Sequence, residues 1–527
     1  MNKTLLFYCL FCTTWLSAQR QYLIDHYLLD MRIAHGFEFI ALTQSVHIQF
    51  TDTCSVLQLD LGGPLDNGLG MKVLKVVAPY QALIWQQNTE ELLISLSKVF
   101  QKGDTLTLGI ELKGKPRDGL IISENKYKEP TIFADNWPNR AHYWYACKDH
   151  PSSKATYTFR VEAPQSYEVV ANGILVSKTP EKERNSMVWN FSINEPIPTK
   201  VAVVGIADFA SRRYAASNEI SMQGFAYPQD SSRALASFEV APTILEFYQT
   251  LVGPYPFAEL NHVQSTTRYG GMENAGCIFY DENSLNADLR STHLIAHEVA
   301  HQWFGNAVSE ADWQHLWLSE GFATYLTNMY IESAEGQKAF YKQLQSDRIR
   351  VANFYNNGFH QALVDSLTPS LLDRLNANAY QKGAWVLHML RHEMGDSLFK
   401  VGLQQFYTTY KYQNTTSQDF AHLMDSLSPK DLAPFFNQWL YQVGHPQLKT
   451  RILTQKGKQF IEITQVQDQL FVFPLQISVS KDGKSSEVLV FNVSKRKEQF
   501  EIPEDLLGTN VQLILDPNMK LLFEPVK

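Results

Sequence analysis

His297 and His301 stand four residues apart in STHLIAHEVAHQWFGN, inside an apolar pattern of helical period. One helical turn puts both imidazoles on the same side, where two neutral ring nitrogens can share a tetrahedral zinc ion. Glu298, beside the first histidine, then reaches water at the metal rather than the metal itself, the division of roles in an H-E-x-x-H motif. Ser291 and Thr292 are the capping candidates at the start of this helix. Two histidines alone do not make a site, because the same spacing also arises on helix surfaces. LWLSEGFATYL supplies a third donor: Glu320 follows His301 by nineteen positions, room for a turn and a second helix to return. Its neighbours Trp317, Leu318 and Phe322 make it a partly buried acid in need of a partner. A His, His, Glu set leaves the fourth position to water, whose pKa falls to about 7 on zinc, so hydrolysis is the expected reaction.

Upstream, TTRYGGMENAGCIFY offers Gly270 and Gly271, which permit close backbone approach, directly before Met272, Glu273 and Asn274. Downstream, AYQKGAWVLHMLRHEMGD carries Tyr380, which on its own reads as a core residue. The same stretch holds His388 and His392 one turn apart. No Glu follows the first of them, and they are read as structural.

GGMEN, then HEVAH, then WLSEGFATY, in that order and spacing and followed by AYQKG, resemble the aminopeptidase N family of gluzincin zinc metallopeptidases. The resemblance implies one Zn2+ per chain, held by His297, His301 and Glu320, with Glu298 as general base. It implies that Gly270, Gly271, Met272, Glu273 and Asn274 form a strand edge for substrate backbone, with Glu273 binding the free α-ammonium group. Tyr380 matches the tyrosine that hydrogen-bonds the oxyanion. A buried carboxylate rewards a cation beside the scissile bond, and an internal peptide leaves that charge unpaired. The expected partners are therefore peptides with a free N-terminus, and Met272 with the Gly-Gly backbone lines the pocket for the first side chain.

The likeness extends to FADNWPNRAHYWYACKDHPSSKATYTF, similar to the segment that closes the N-terminal side of the cleft. Here the chain departs from many relatives: Trp137 falls where they place Gln or Glu, and Asp135 is the expected substitute at the amine. With the chain ending after a strand-rich segment, the resemblance implies a short form without the large C-terminal helical domain, and a more open cleft. Two rivals differ in kind. One is a bifunctional epoxide hydrolase and aminopeptidase of the leukotriene-hydrolase branch, for which no carboxylate-gripping Arg is found. The other is a non-catalytic exported binding protein with a relic zinc site, against which Glu298, Glu273 and Tyr380 together speak.

The elements that must position these residues follow from periodicity. From Gln21 to Tyr227 short runs alternate, as Leu106, Leu108, Ile110 and Leu112 do, and Asn172-Gly173 in YEVVANGILVS reads as a tight hairpin turn. From Ser231 the spacing turns helical, with Pro242 marking a break or first turn. After Gly444 and Pro446 strands return in FIEITQV, FVFPLQISVS, SEVLVFNVS and VQLILDP, the middle two joined through Asp482 and Gly483. The fold class expected is multidomain α+β. Residues 19–229 form a β-rich domain, saddle-like by the resemblance; 230–445 a mainly helical, thermolysin-like zinc domain; 446–527 a β-sandwich of immunoglobulin type.

At 527 residues, 44% hydrophobic and 19% charged, the chain has the composition of an ordinary globular protein of several domains. Its 46 basic and 54 acidic residues give a net charge of -8, without the basic block that a nucleic acid requires. MNKTLLFYCLFCTTWLSAQR has the layout of a secretory signal peptide, cleaved near Ala18, with an apolar run too short to span a bilayer. The expectation is an exported protein, periplasmic, secreted or at the cell surface, with no membrane span after cleavage. Cys54, Cys147 and Cys277 remain, odd in number and widely spaced, so no disulfide framework follows. Oligomeric state is not legible in the sequence.

Overall fold

The computed structural model describes residues 21–526 apart from 34–37, 80–82, 216–219, 482–486 and 507–510. The expected signal peptide and the Asp482-Gly483 turn lie outside the described residues. Two compact units are present, one of Met1–Thr250, Pro254–Ser309 and Tyr410–Asn414, the other of Leu251–Gly253, Glu310–Thr409 and Thr415–Lys527.

The first unit is built from alternating strands. Thr105–Lys115 buries Leu106, Leu108, Ile110 and Leu112 and turns the residues between them outward, as its sequence requires. Each such side chain contributes about 1.5–3 kcal/mol on leaving water. This strand lies in a seven-stranded sheet whose order is 174–181, 186–198, 154–164, 22–33, 40–50, 105–115, 70–77. In Tyr22–Ile33 the buried set changes phase after Ile24, resuming at Tyr27, where the pairing register slips between Ile24 and His26. A slip of one residue moves all later side chains to the opposite face, and here it keeps Tyr27, Leu29 and Met31 inside.

Asn172-Gly173 is a turn, with Gly173 at φ +82°, but not a hairpin. Glu168–Ala171 pairs with Val204–Ala207, whereas Ile174–Glu181 pairs with Ser186–Pro198 in the seven-stranded sheet. The chain changes sheets there because the buried Asn172 amide is spent on distant backbone, donating to Val201 O and Ala275 O and accepting from Val203 N.

A five-stranded mixed sheet carries the chemistry-bearing segment, in the order 210–214, 221–226, 259–265, 277–281, 271–272. Its last member, Gly271–Met272, pairs antiparallel with 277–281 through Gly271↔Tyr280 and Met272↔Phe279 and forms the sheet's edge. This unit also carries helices Ser231–Ser237, Ala241–Leu251 and Leu289–Ala300, with Pro242 in the first turn of the second, where its missing N–H costs nothing.

The second unit is helical through 317–335, 337–356, 383–394, 396–410, 417–427 and 433–441. Among the described residues it ends in seven strands, four of them at the expected places, arranged in two sheets of four and three. Phe473–Lys481 and Glu487–Val493 pair antiparallel, as expected for the middle two.

Candidate active site

Helix Leu289–Ala300 is capped by Asp288, whose carboxylate accepts from Ser291 N at 2.9 Å. Ser291 and Thr292, the expected caps, are inside the helix; Ser291 Oγ instead donates to Ser284 O at 2.9 Å. An acidic cap satisfies an orphan N–H and meets the positive end of the helix dipole, so Asp outcompetes a hydroxyl placed three residues later.

At the other end of this helix the Nε2 atoms of His297 and His301 face one another at 3.1 Å. His301 Nδ1 lies 3.2 Å from Phe304 O, so the proton sits on Nδ1 and the Nε2 lone pair is left to bind. Two donors about 2.0–2.1 Å from one tetrahedral ion stand roughly 3.3 Å apart, close to the spacing found. Within the first unit, Glu273, Glu298 and His301 bring their donor atoms within 4.8 Å of one another. Two imidazoles at this spacing fit a zinc ion, whose catalytic centres add a carboxylate and leave one position to water.

Glu298 is buried and lies against the edge strand. A Cβ added at Gly271 would meet Glu298 Oε1 at 2.3 Å, so only glycine allows the carboxylate this close. Gly270 is under no such constraint, its nearest neighbour being Leu294 at 3.7 Å. Met272 is buried at 4% exposure. Glu273 is equally buried, with Oε1 lacking a hydrogen-bond partner, and both amide atoms of buried Asn274 also lack one. Unpaired buried polar atoms cost about 1–3 kcal/mol each, so this cluster is built for a group it does not itself contain.

Two residues not singled out in the sequence hold Glu273 in place. Gln302 Nε2 donates to Glu273 O at 2.9 Å, while Gln302 Oε1 accepts from Gly276 N at 2.8 Å. Asn306 Nδ2 donates to the same Glu273 carbonyl at 2.6 Å. HQWFGN shows two amides among apolar neighbours directly after the second histidine, which marks them as buried polar groups but does not name Glu273 as their partner.

Asp135 is buried, but its Oδ1 is paired with Arg140 Nη2 at 2.5 Å and its Oδ2 lies 3.7 Å from Arg268 Nε. Burial still raises its pKa, the two guanidinium groups pulling the other way. A carboxylate engaged in this way has little left for a substrate ammonium. Its structural effect is to anchor Arg268, just ahead of the Gly270–Asn274 segment. Trp137 is buried, its carbonyl accepting from Arg140 Nε at 2.7 Å.

Within the second unit Glu320 is buried in the first turn of helix Trp317–Glu335, where the helix dipole favours a carboxylate. The helix start is fixed by Ser417 Oγ, which meets Trp317 Nε1 at 2.8 Å and His315 Nδ1 at 2.9 Å. Tyr380 sits half-buried in a π-helical turn, Asn378–Lys382, a form concentrated at functional sites. Gly321 packs against Gly383, where a Cβ would come within 2.9 Å of Gly383 Cα, and so the helix bearing Glu320 contacts the start of the helix after the Tyr380 turn. Lys382 is fully buried, its Nζ 3.4 Å from Gln442 O, and burial pulls its pKa down to about 7. His388 is structural, as expected: its Nδ1 faces Tyr325 OH at 3.0 Å and its Nε2 donates to Met519 O at 2.7 Å, with burial lowering its pKa to about 3.

Residues 236–439 match the peptidase family M1 domain, and residues 71–201 match the peptidase M1 N-terminal domain. The chain is 25% identical over 426 residues to a probable aminopeptidase 2 of Sulfurisphaera tokodaii, covering 77% of this chain and 54% of that protein. It is 27% identical over 402 residues to aminopeptidase N of Lactococcus lactis, 70% of this chain and 47% of the relative. Against aminopeptidase N of Bos taurus the identity is 25% over 475 residues, 80% and 49% of the two chains. The chain thus spans about half the length of the curated relatives it matches.

Proposed function

Because the chain belongs to peptidase family M1, we propose that it is a zinc-dependent aminopeptidase that removes the N-terminal residue from peptides. The observation that carries the exopeptidase reading is Glu273 Oε1, buried without a partner in the same group as Glu298 and His301. A carboxylate in that position favours a substrate whose ammonium group lies one residue from the bond to be cut.

His297, His301 and Glu320 would hold the ion. Zinc bound there supplies Lewis acidity toward water and toward the scissile carbonyl. Glu298 takes the proton of the attacking water and delivers it to the leaving amine. Gly271–Met272, an edge strand with glycine at the point of closest approach, offers backbone groups to the substrate chain. Gln302 and Asn306 fix the carbonyl of Glu273 and so the direction of its carboxylate. Tyr380 donates to the developing oxyanion, a contact stronger in the transition state than in the ground state; loss of such a donor costs about 10²–10³ in turnover.

The test is a panel of free and N-acetylated aminoacyl amides, with Glu298→Gln as control and with metal removal and zinc restoration. Hydrolysis confined to free amines, lost in the variant and on chelation, is the expected result. Equal cleavage of acetylated substrates overturns the role of Glu273. We also propose export, supported by residues 1–18; a secreted or periplasmic chain should begin at or near Gln19 by mass spectrometry.

A further inference from the structure

A cavity of about 440 Å3 opens in the β-rich unit, within the range of about 300–1,000 Å3 typical of small-molecule sites. Its floor is one face of the five-stranded sheet. Arg213, Gln223 and Asn261 stand in register across three neighbouring strands, a line of hydrogen-bonding side chains about 10 Å long at the usual strand spacing. Ser221 and Glu259 are paired in the next row on the same face, and Ser211 and Phe225 in the row on the other side. Alternation confirms the face: Ser221, Gln223 and Phe225 point to the cavity, while Met222, Gly224 and Ala226 between them are buried. The facing wall includes Glu168, Lys178 and Trp189.

The charges around this cavity balance. Glu168 is ion-paired with Lys178, and Glu259 accepts from Asn261 Nδ2 at 3.2 Å, its pKa raised by burial with Asn261 and then Arg213 offsetting part of the rise. No net field is left to draw an anion or a cation. What remains is a row of amides and hydroxyls, groups that can donate and accept at once, beside the half-buried ring of Phe225. In addition, the indole N–H of Trp189, 1% exposed, has no hydrogen-bond partner.

We propose that this cavity binds a neutral sugar, a mono- or disaccharide. Each sugar hydroxyl donates and accepts, which matches the amide and serine row, and the apolar C–H face of a pyranose ring fits against an aromatic ring. A zwitterionic amino acid matches less well, because Glu168 and Lys178 are paired with each other and the charges of Arg213 and Glu259 cancel in sum. The proposal is independent of the zinc chemistry.

The test is calorimetric titration and saturation-transfer NMR of the whole chain with glucose, galactose, mannose, N-acetylglucosamine, maltose and lactose, with leucine and inorganic phosphate as comparators. The expected result is saturable binding of at least one sugar with Kd of about 1 mM, weakened about tenfold or more in Gln223→Leu and in Trp189→Phe, and unchanged in Glu298→Gln. Gln223 is half-buried on the sheet surface and its replacement should leave the melting temperature in place, so lost binding reads on the site and not on folding. Absence of binding by every sugar overturns the proposal. So does sugar binding that survives in both Gln223→Leu and Arg213→Leu, or binding of leucine or phosphate in place of sugar.

Discussion

Replacing Gly271 with alanine tests the catalytic geometry at its tightest point. The new methyl carbon would stand 2.3 Å from Glu298 Oε1, against about 3.4 Å for ordinary contact, so the carboxylate has to withdraw by about 1.1 Å. The clash runs along the side chain, with Glu298 Cδ at 2.5 Å and Cγ at 2.6 Å, but none of these atoms is backbone, so it is relieved by moving Glu298 off its rotamer, at about 0.5–1.5 kcal/mol. The chemistry is less forgiving. A misplacement near 1 Å costs on the order of 100-fold in rate, or about 2.7 kcal/mol of barrier.

Gly271→Ala is therefore expected to lose roughly two decades of kcat with little change in KM and a melting temperature close to that of the parent. Gly270→Ala is the matched control, because the nearest atoms to its new methyl lie at 3.7 and 3.8 Å, in ordinary contact. Steady-state kinetics on a chromogenic aminoacyl amide and a thermal melt decide the matter together. Equal activity of the two alanine variants would refute the placement of Glu298 against the edge strand. A loss of activity that tracks a loss of folding would refute the claim that the base, and not the fold, absorbs the clash.

Asn306→Ala removes one of two amide donors from Glu273 O, and should raise KM for free-amine substrates about tenfold with a smaller effect on kcat, as kinetics on peptides of fixed length would show. Gly321→Ala forces a methyl to within 2.9 Å of Gly383 Cα and 3.1 Å of Ala379 O, backbone atoms that cannot swing away, and should destabilise by about 1–3 kcal/mol in urea unfolding. Lys382 has a folded pKa near 7 and an unfolded one near 10.5, so the unfolded chain binds the extra proton between those values and stability rises with pH across that window. Lys382→Met should accordingly gain a few kcal/mol at pH 6, a gain that shrinks steadily from pH 7 toward pH 10 in the same unfolding assay. Removal of metal by a chelator should abolish hydrolysis and zinc should restore it, with one equivalent of zinc per chain found by elemental analysis.

Which parts of this protein could be read from its residues depends on where the deciding partner lies along the chain. His297 and His301 were legible because a spacing of four is itself a geometry in a helix, and the 3.1 Å between their Nε2 atoms follows from it. The strand Thr105–Lys115 was legible for the same reason at period two. The cap of the zinc-motif helix was only half legible: DLRST offers several capping side chains within one turn, and the sequence does not rank Asp288 above Ser291 and Thr292. Asn172-Gly173 shows the limit more sharply. The turn chemistry was read correctly, since Gly173 takes the positive φ, but a hairpin also needs its two flanks to pair. That was decided by Asn172 bonding to residues 201, 203 and 275, which no local pattern reports.

Asp135 lies between these cases. Its partner Arg140 is only five residues on, so a pairing that competes with substrate was open to view in DNWPNR, yet charge alone does not say whether a carboxylate faces a ligand or a neighbour. Gln302 and Asn306 were out of reach for a different reason: they act on the backbone of a residue about thirty positions earlier, and a carbonyl has no signature in sequence. The histidine pair was thus legible from type and spacing, the proposed roles of Glu273 and Tyr380 only through the resemblance, and the groups that aim Glu273 not at all. That division puts the most informative substitutions at Gly271, Gln302 and Asn306, where a change leaves every ionisable motif residue intact and still alters the direction in which Glu298 or Glu273 points.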